Sequence, residues 1–135
     1  MAFQFSTASR NAAADALETA IGGSAVLKIR SGAVPAGVGT ADAGTVLATL
    51  NLPADWLSAA SNGVKSLSGT WQDLTADAAG TAGHFRIYAS DGTTAHIQGT
   101  ITATGGGGDM TLDNVNIAAG QQVTVTAFSI TVGGA

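Results

Sequence analysis

The chain contains no cysteine and only two prolines, and just 10% of its 135 residues are charged. Without cysteine there is no disulfide framework, no thiolate metal site and no cysteine nucleophile, and the redox compartment is left open. Five Lys and Arg stand against nine Asp and Glu, a formal charge of −4. That is too little positive charge to neutralise a run of phosphates, so no direct nucleic-acid partner is expected. No stretch reaches membrane-spanning length, and MAFQFSTASR has no basic segment leading into an apolar one. The expectation is synthesis in the cytoplasm and no membrane partner. Trp56, Trp71 and Tyr88 are the large amphipathic rings. They are too few for a row of sugar platforms, and the two tryptophans read as core or interface anchors.

What is present is glycine, 19 residues of it, with alanine and threonine in short patterned segments. The length suits one domain, which buries roughly two-thirds of the surface its unfolded chain exposes. Low charge together with clear alternation argues for a folded chain. Its Thr/Ser/Ala surface suits packing against neighbours.

Residues 7–21, TASRNAAADALETAI, predict the only helix. Ser6 or Thr7 supplies its N-cap, and Gly22-Gly23 supplies a left-handed residue to end it. Ala13, Leu17, Ala20 and Ile21 form a narrow apolar face that must lie on a sheet or on another subunit. The period then drops to two: in residues 25–30 Leu27 and Ile29 face a core while Lys28 and Arg30 face out. Residues 31–44 read as a long loop, 45–52 as a strand stopped by Pro53, and 55–60 as one helical turn before the Asn62-Gly63 turn. Short strands near 64–67 and 70–74 precede a hairpin over 84–101. A loop at Ser90-Asp91-Gly92 pairs Phe85 with Ile97 and Ile87 with Ala95 inside, leaving Arg86 opposite His96 outside. Strands over 109–117 and 121–132 complete the chain, the last with a bulge near Ala127. Seven or eight short strands of this kind predict a mainly β protein, an antiparallel β-sandwich with one N-terminal α-helix.

Gly105 to Gly108 precede Asp109 and an alternating strand rather than a helix with Lys and Ser or Thr, so they read as a strand-to-strand loop and not a phosphate cradle. His84 and His96 share the outward face without opposing one another, which makes them surface strand positions. Asp109, Asp113 and Asn114 lack the spacing of a calcium loop. Asp73 and Asp77 form a carboxylate pair without the cleft or platforms of a glycosidase. No G-x-S-x-G elbow occurs. No metal or cofactor is expected.

The segments RNAAADALETAIGGSAVLKIRSG, GTVLATLNLPADW, SGTWQDLTADAAGTAGHFRIY, GGGGDMTLDN and IAAGQQVTVTAFSITV span nearly the whole chain. Together they resemble a family of small virion structural proteins of tailed bacteriophages, common in siphoviruses. The resemblance implies a non-enzymatic component of the virion, made in the host cytoplasm, with no catalytic residues to carry over. The favoured expectation is a capsid decoration, or cement, protein that binds the outside of the head lattice and stabilises it. A tail, head-fibre or host-binding component is the alternative. Partners would be the major capsid protein and copies of the chain itself, a trimer suiting three-fold positions. Phe3, Phe5, Leu17 and Ile21 are the candidate contact residues. They lie in a detachable N-terminal arm and helix, residues 1–23, ahead of a β-sandwich domain, residues 24–135, and MAFQFSTAS could add a strand to a neighbour's edge.

Overall fold

A computed structural model describes residues 3–135, so Met1 and Ala2 of the arm lie outside the described residues. It contains one helix and ten short strands. Helix α1, Thr7–Ile21, starts where its cap predicts: Ser6 Oγ accepts the Ser9 N–H at 3.1 Å. Gly22 ends it by donating its N–H to the Glu18 carbonyl at 2.8 Å, with φ at +90°. Its ψ of 170° is extended, so Gly22 itself makes no left-handed turn.

Strands β1 (Val26–Ser31), β2 (Val46–Asn51), β5 (Gly80–Tyr88), β6 (Ala95–Ala103) and β7 (Met110–Leu112) form the main sheet in the order β2-β1-β5-β6-β7. β8 (Asn116–Ile117) pairs the first residues of β5. Two small sheets join β3 (Val64–Ser66) to β10 (Ser129–Thr131) and β4 (Trp71–Asp73) to β9 (Val123–Val125). Leu27, Ile29, Leu50, Phe85 and Ile87 line one face of the main sheet, and Trp56, Trp71, Val123 and Val125 join them in one core. Phe128 bridges the layers, its ring 5.6 Å from those of Trp71 and Phe85. The result is the mainly β, sandwich-like fold that alternation predicts.

Several local expectations are corrected. Residues 109–117 form two strands, and β7 runs parallel to β6 instead of antiparallel. The last strand breaks at residues 126–128, changing partner from β4 to β3 where a bulge was expected. Residues 55–60 form no helical turn; Leu57 bridges to Leu67 and Trp56 is buried. The hairpin register is two residues from expectation, with Ile87 opposite Ile97 and Phe85 opposite Gly99. A Cβ on Gly99 would lie 2.8 Å from the Phe85 ring, so the ring occupies the space that glycine leaves. The connection is correspondingly longer: Ala89 bonds Thr94, and the Asp91 carboxylate accepts the N–H groups of Thr93 and Thr94.

The glycine run explains the parallel pair. Met110 lies beside Ile101, so residues 104–109 must carry the chain back to a point it has already passed. Parallel neighbours ordinarily need a crossover of a dozen or more residues. Here Gly105 and Gly107 take φ of +88° and +82°. Gly106 and Gly108 lie against Thr102, where an added Cβ would come within 2.7 and 2.8 Å.

Candidate functional site

The helix docks on the β layers through Ala14 and Ile21, its two buried residues, and through the polar side chains beside them. Lys65 is buried and reaches Asp15 at 2.7 Å and Glu18 at 3.4 Å. Asn11 Oδ1 accepts the Gly63 N–H at 2.7 Å, and Arg10 donates to the Asn62 carbonyl at 2.7 Å. Burial works to lower the Lys65 ammonium, but Asp15 and Glu18 outweigh it and hold it above the ordinary lysine value of 10.5. Burial, with Asp55 close by, pushes the Glu18 carboxyl up against the pull of Lys65. Trp56 Nε1 donates to the Gly22 carbonyl at 2.9 Å. The helix is thus bonded to the body along its length and is not a detachable element.

Docking this way turns the expected apolar face outward. Ala13, Ala16, Leu17 and Ala20 are all exposed, Leu17 at 43%. Ile21 departs from that face: at 6% exposure it belongs to the core and is withdrawn from the candidate contact set. Phe3 and Phe5 are exposed at 74% and 48%, their rings edge-to-face at 5.2 Å. The Phe5 N–H bonds the Gly134 carbonyl at 2.7 Å, laying the arm beside the C-terminal residues. Leu74, 65% exposed, is a further apolar side chain that the sequence reading missed. Its neighbours Asp73 and Thr75 give no signal of it.

The opposite face of the main sheet is polar yet covered. Residues 32–44, expected to be a loop, form a strap across it. Asp42 is the clasp: its carboxylate accepts from Arg30 at 3.0 Å, Arg86 at 2.8 Å and the Tyr88 hydroxyl at 2.7 Å. Arg86 also donates to the Gly37 carbonyl at 3.1 Å and to Gln98 Oε1 at 2.9 Å, while Gln98 donates to the Pro35 carbonyl at 2.8 Å. Burial works to raise the Asp42 carboxyl, but the Tyr88 hydroxyl and the two guanidiniums prevail and hold it below the ordinary 3.8. Burial and Asp42 together push the Tyr88 phenol up. The expectation that Arg30 and Arg86 face solvent is corrected, because both are buried beneath the strap.

His84 is likewise no surface residue. It is fully buried, with Nδ1 2.9 Å from the Gly32 carbonyl, whereas His96 is exposed at a bulge in β6. Asp73 and Asp77 converge on Thr49, one accepting its N–H at 2.9 Å and the other its hydroxyl at 2.7 Å, so they cap the outer edge of β2. Asp109 bonds Thr100, and Asp113 accepts the Asn114 N–H. Among the described residues no group of three or more His, Asp or Glu is placed to hold a metal ion, and no helix is long and apolar enough to cross a membrane.

The electrostatic consequence was not legible in the composition. Arg30, Lys65 and Arg86 are buried and Arg10 and Lys28 half-buried, while seven of the nine carboxylate side chains are exposed. Comparison with protein-family models, with curated proteins and with solved structures finds no match.

Proposed function

We propose that the protein is a non-enzymatic structural component of a tailed-bacteriophage particle, a decoration protein that binds the outside of the head lattice and stabilises it. The observation that carries this reading is the outward-facing apolar side of α1, continued in character by Phe3 and Phe5 on the arm. An amphipathic helix on a monomer turns its apolar stripe to the core. This one buries only Ala14 and Ile21, is held also by ion pairs, and leaves Ala13, Ala16, Leu17 and Ala20 free for a neighbour, either the major capsid protein or another copy of the chain. Alanine faces permit close approach and lose no side-chain entropy on burial. A ring of three copies around a lattice three-fold position would close such contacts.

Mechanically, each contact is small and strength comes from number. Many copies bound across capsomer boundaries oblige outward pressure from packaged DNA to break many contacts together. The Asp42 clasp on the buried Arg30 and Arg86 and the close-packed core keep each copy rigid under that load.

Two measurements test the reading. Quantitative mass spectrometry of purified virions should find about one copy per major capsid protein, or about a third of that, as lattice symmetry requires. A handful of copies would instead place the protein on the tail, a head fibre or a host-binding tip. Particles lacking the protein should rebind the wild type, and the triple variant F3S/F5S/L17E should fail to bind while remaining folded. Equal binding by that variant would overturn the assignment of the contact surface.

A further inference from the structure

Strand β10 is hydrogen-bonded on one side only. Its one partner strand is β3, with Ile130 opposite Lys65. At the two ends of that ladder Leu67 donates to the Phe128 carbonyl and Val132 to the Gly63 carbonyl. Residues 128, 130 and 132 therefore turn their backbone groups toward β3, and alternation turns those of Ser129 and Thr131 to the far side. There neither residue has a backbone partner among the described residues, and both are exposed. This is an open sheet edge.

The edge is also unguarded. Native sheets blunt a free edge with a charge, a proline, a bulge or a covering side chain. The outer edge of β2 is treated in that way, with Asp73 and Asp77 capping Thr49. Around β10, residues 114–135 contain no charged residue and no proline, and the pairing with β3 has no bulge. Lys65 on β3 is turned to Asp15 and Glu18. Asp109, across the hollow in front of Ser129, is bonded to Thr100.

Charge and symmetry together select the occupant. Seven of the nine carboxylates are exposed while every cation is buried or half-buried, so two copies repel one another over much of their surface. Along this uncharged strand they do not, and a charged partner finds nothing here to read. The strand is moreover self-complementary, because Ser129-Ile130-Thr131 runs hydroxyl, apolar, hydroxyl in either direction. An antiparallel copy, turned about a two-fold axis at Ile130, sets Ser129 against Thr131 of the second copy at both ends. Each of these is a hydrogen-bonded pair that exchanges two main-chain bonds, so every free group of both strands is satisfied. Ile130 meets its own counterpart as the closer, non-hydrogen-bonded pair.

We propose that β10 pairs with β10 of a second copy, joining the two β3-β10 sheets into one continuous sheet across a two-fold axis. The surface is distinct from the outward face of α1, and the inference stands whether or not the protein decorates a capsid.

The interface is small, so the expected dimer is weak, with a dissociation constant on the order of 0.1 mM. Sedimentation of the full chain between about 10 µM and 1 mM should show monomer giving way to dimer, with concentration-dependent NMR shifts confined to residues 64–66 and 127–133. The variants S129K/T131K and S129E/T131E change exposed side chains, and the same spectra monitor their fold. Each alone should dimerise roughly tenfold more weakly than the wild type, and an equimolar mixture should regain wild-type association, because each lysine then faces a glutamate. Ser129→Pro, which removes a free N–H without adding charge, should weaken the dimer severalfold. A chain still monomeric at about 1 mM, wild-type dimerisation by both charged variants, or a mixture that stays monomeric would overturn the proposal. So would a dimer abolished by L17E and left intact by S129K/T131K, which would put the contact on the helix.

Discussion

Replacing Asp42 by alanine leaves Arg30 and Arg86 buried beneath the strap without their shared counter-charge. Asp42 accepts three bonds, two of them from guanidiniums. Bonds to a charged group contribute about 1.5–3 kcal/mol each, about 6 kcal/mol in gross terms for the three. The Asp42 side chain is 40% exposed, however, so water screens the pairs and replaces part of what is lost. Halving the gross figure gives about 3 kcal/mol, at the lower end of what removing one partner of a buried pair costs. Urea unfolding with a slope of about 1.5–2 kcal/mol/M should therefore show a midpoint lower by roughly 1.5–2 M. Acid dependence supplies the second arm. The folded carboxyl titrates below its ordinary value, so its stabilisation is complete above pH 3.8 and is lost as pH falls through the lower, folded value. The variant should lack that part of the acid limb. A midpoint change under about 0.3 M, less than about 0.6 kcal/mol, would refute the idea that this carboxylate holds the strap.

Gly83→Ala should act on the same strap from beneath, since its Cβ would lie 2.2 Å from the Gly32 carbonyl oxygen; a loss of about 1–3 kcal/mol in the same urea assay is expected. Ile21→Ala should cost about 2–4 kcal/mol by thermal or urea unfolding. Leu17→Ser, on the exposed side, should stay within about 0.5 kcal/mol. Lys65→Met should remove the counter-charge of Asp15 and Glu18, and hydrogen exchange across residues 7–21 should speed up before that of β1 or β5.

Elements whose causes are local were legible from the sequence. The Ser6 cap, the helix over residues 7–21 and the parity that buries Leu27, Ile29, Phe85 and Ile87 each depend on neighbours a few positions away. The strap was not legible, because its logic is distant: Asp42 lies 44 positions from Arg86 and no periodicity links them. Lys28 and Arg30 were assigned correctly to the face opposite the core, but that face is not the outside. Alternation alone misplaces the hairpin register because it is set by packing at a glycine: Gly99 is where the Phe85 ring lies. For the helix, the sequence shows an apolar stripe but not whether it turns to the sheet or to a neighbour. Contacts about fifty residues on in the chain, Lys65 with Asp15 and Gly63 with Asn11, show which way it turns.

The doubling-back of the chain at Gly105 to Gly108 bears on how the protein folds. Parallel strands are slow to form because distant segments must first find each other. Here the partners Ile101 and Met110 are nine positions apart, and closing a loop of about ten residues takes on the order of 10–100 ns. The one parallel pair in the main sheet is thus a local event, available before β1 has met β5. The glycines shift an ordinarily late step in sheet assembly to the beginning.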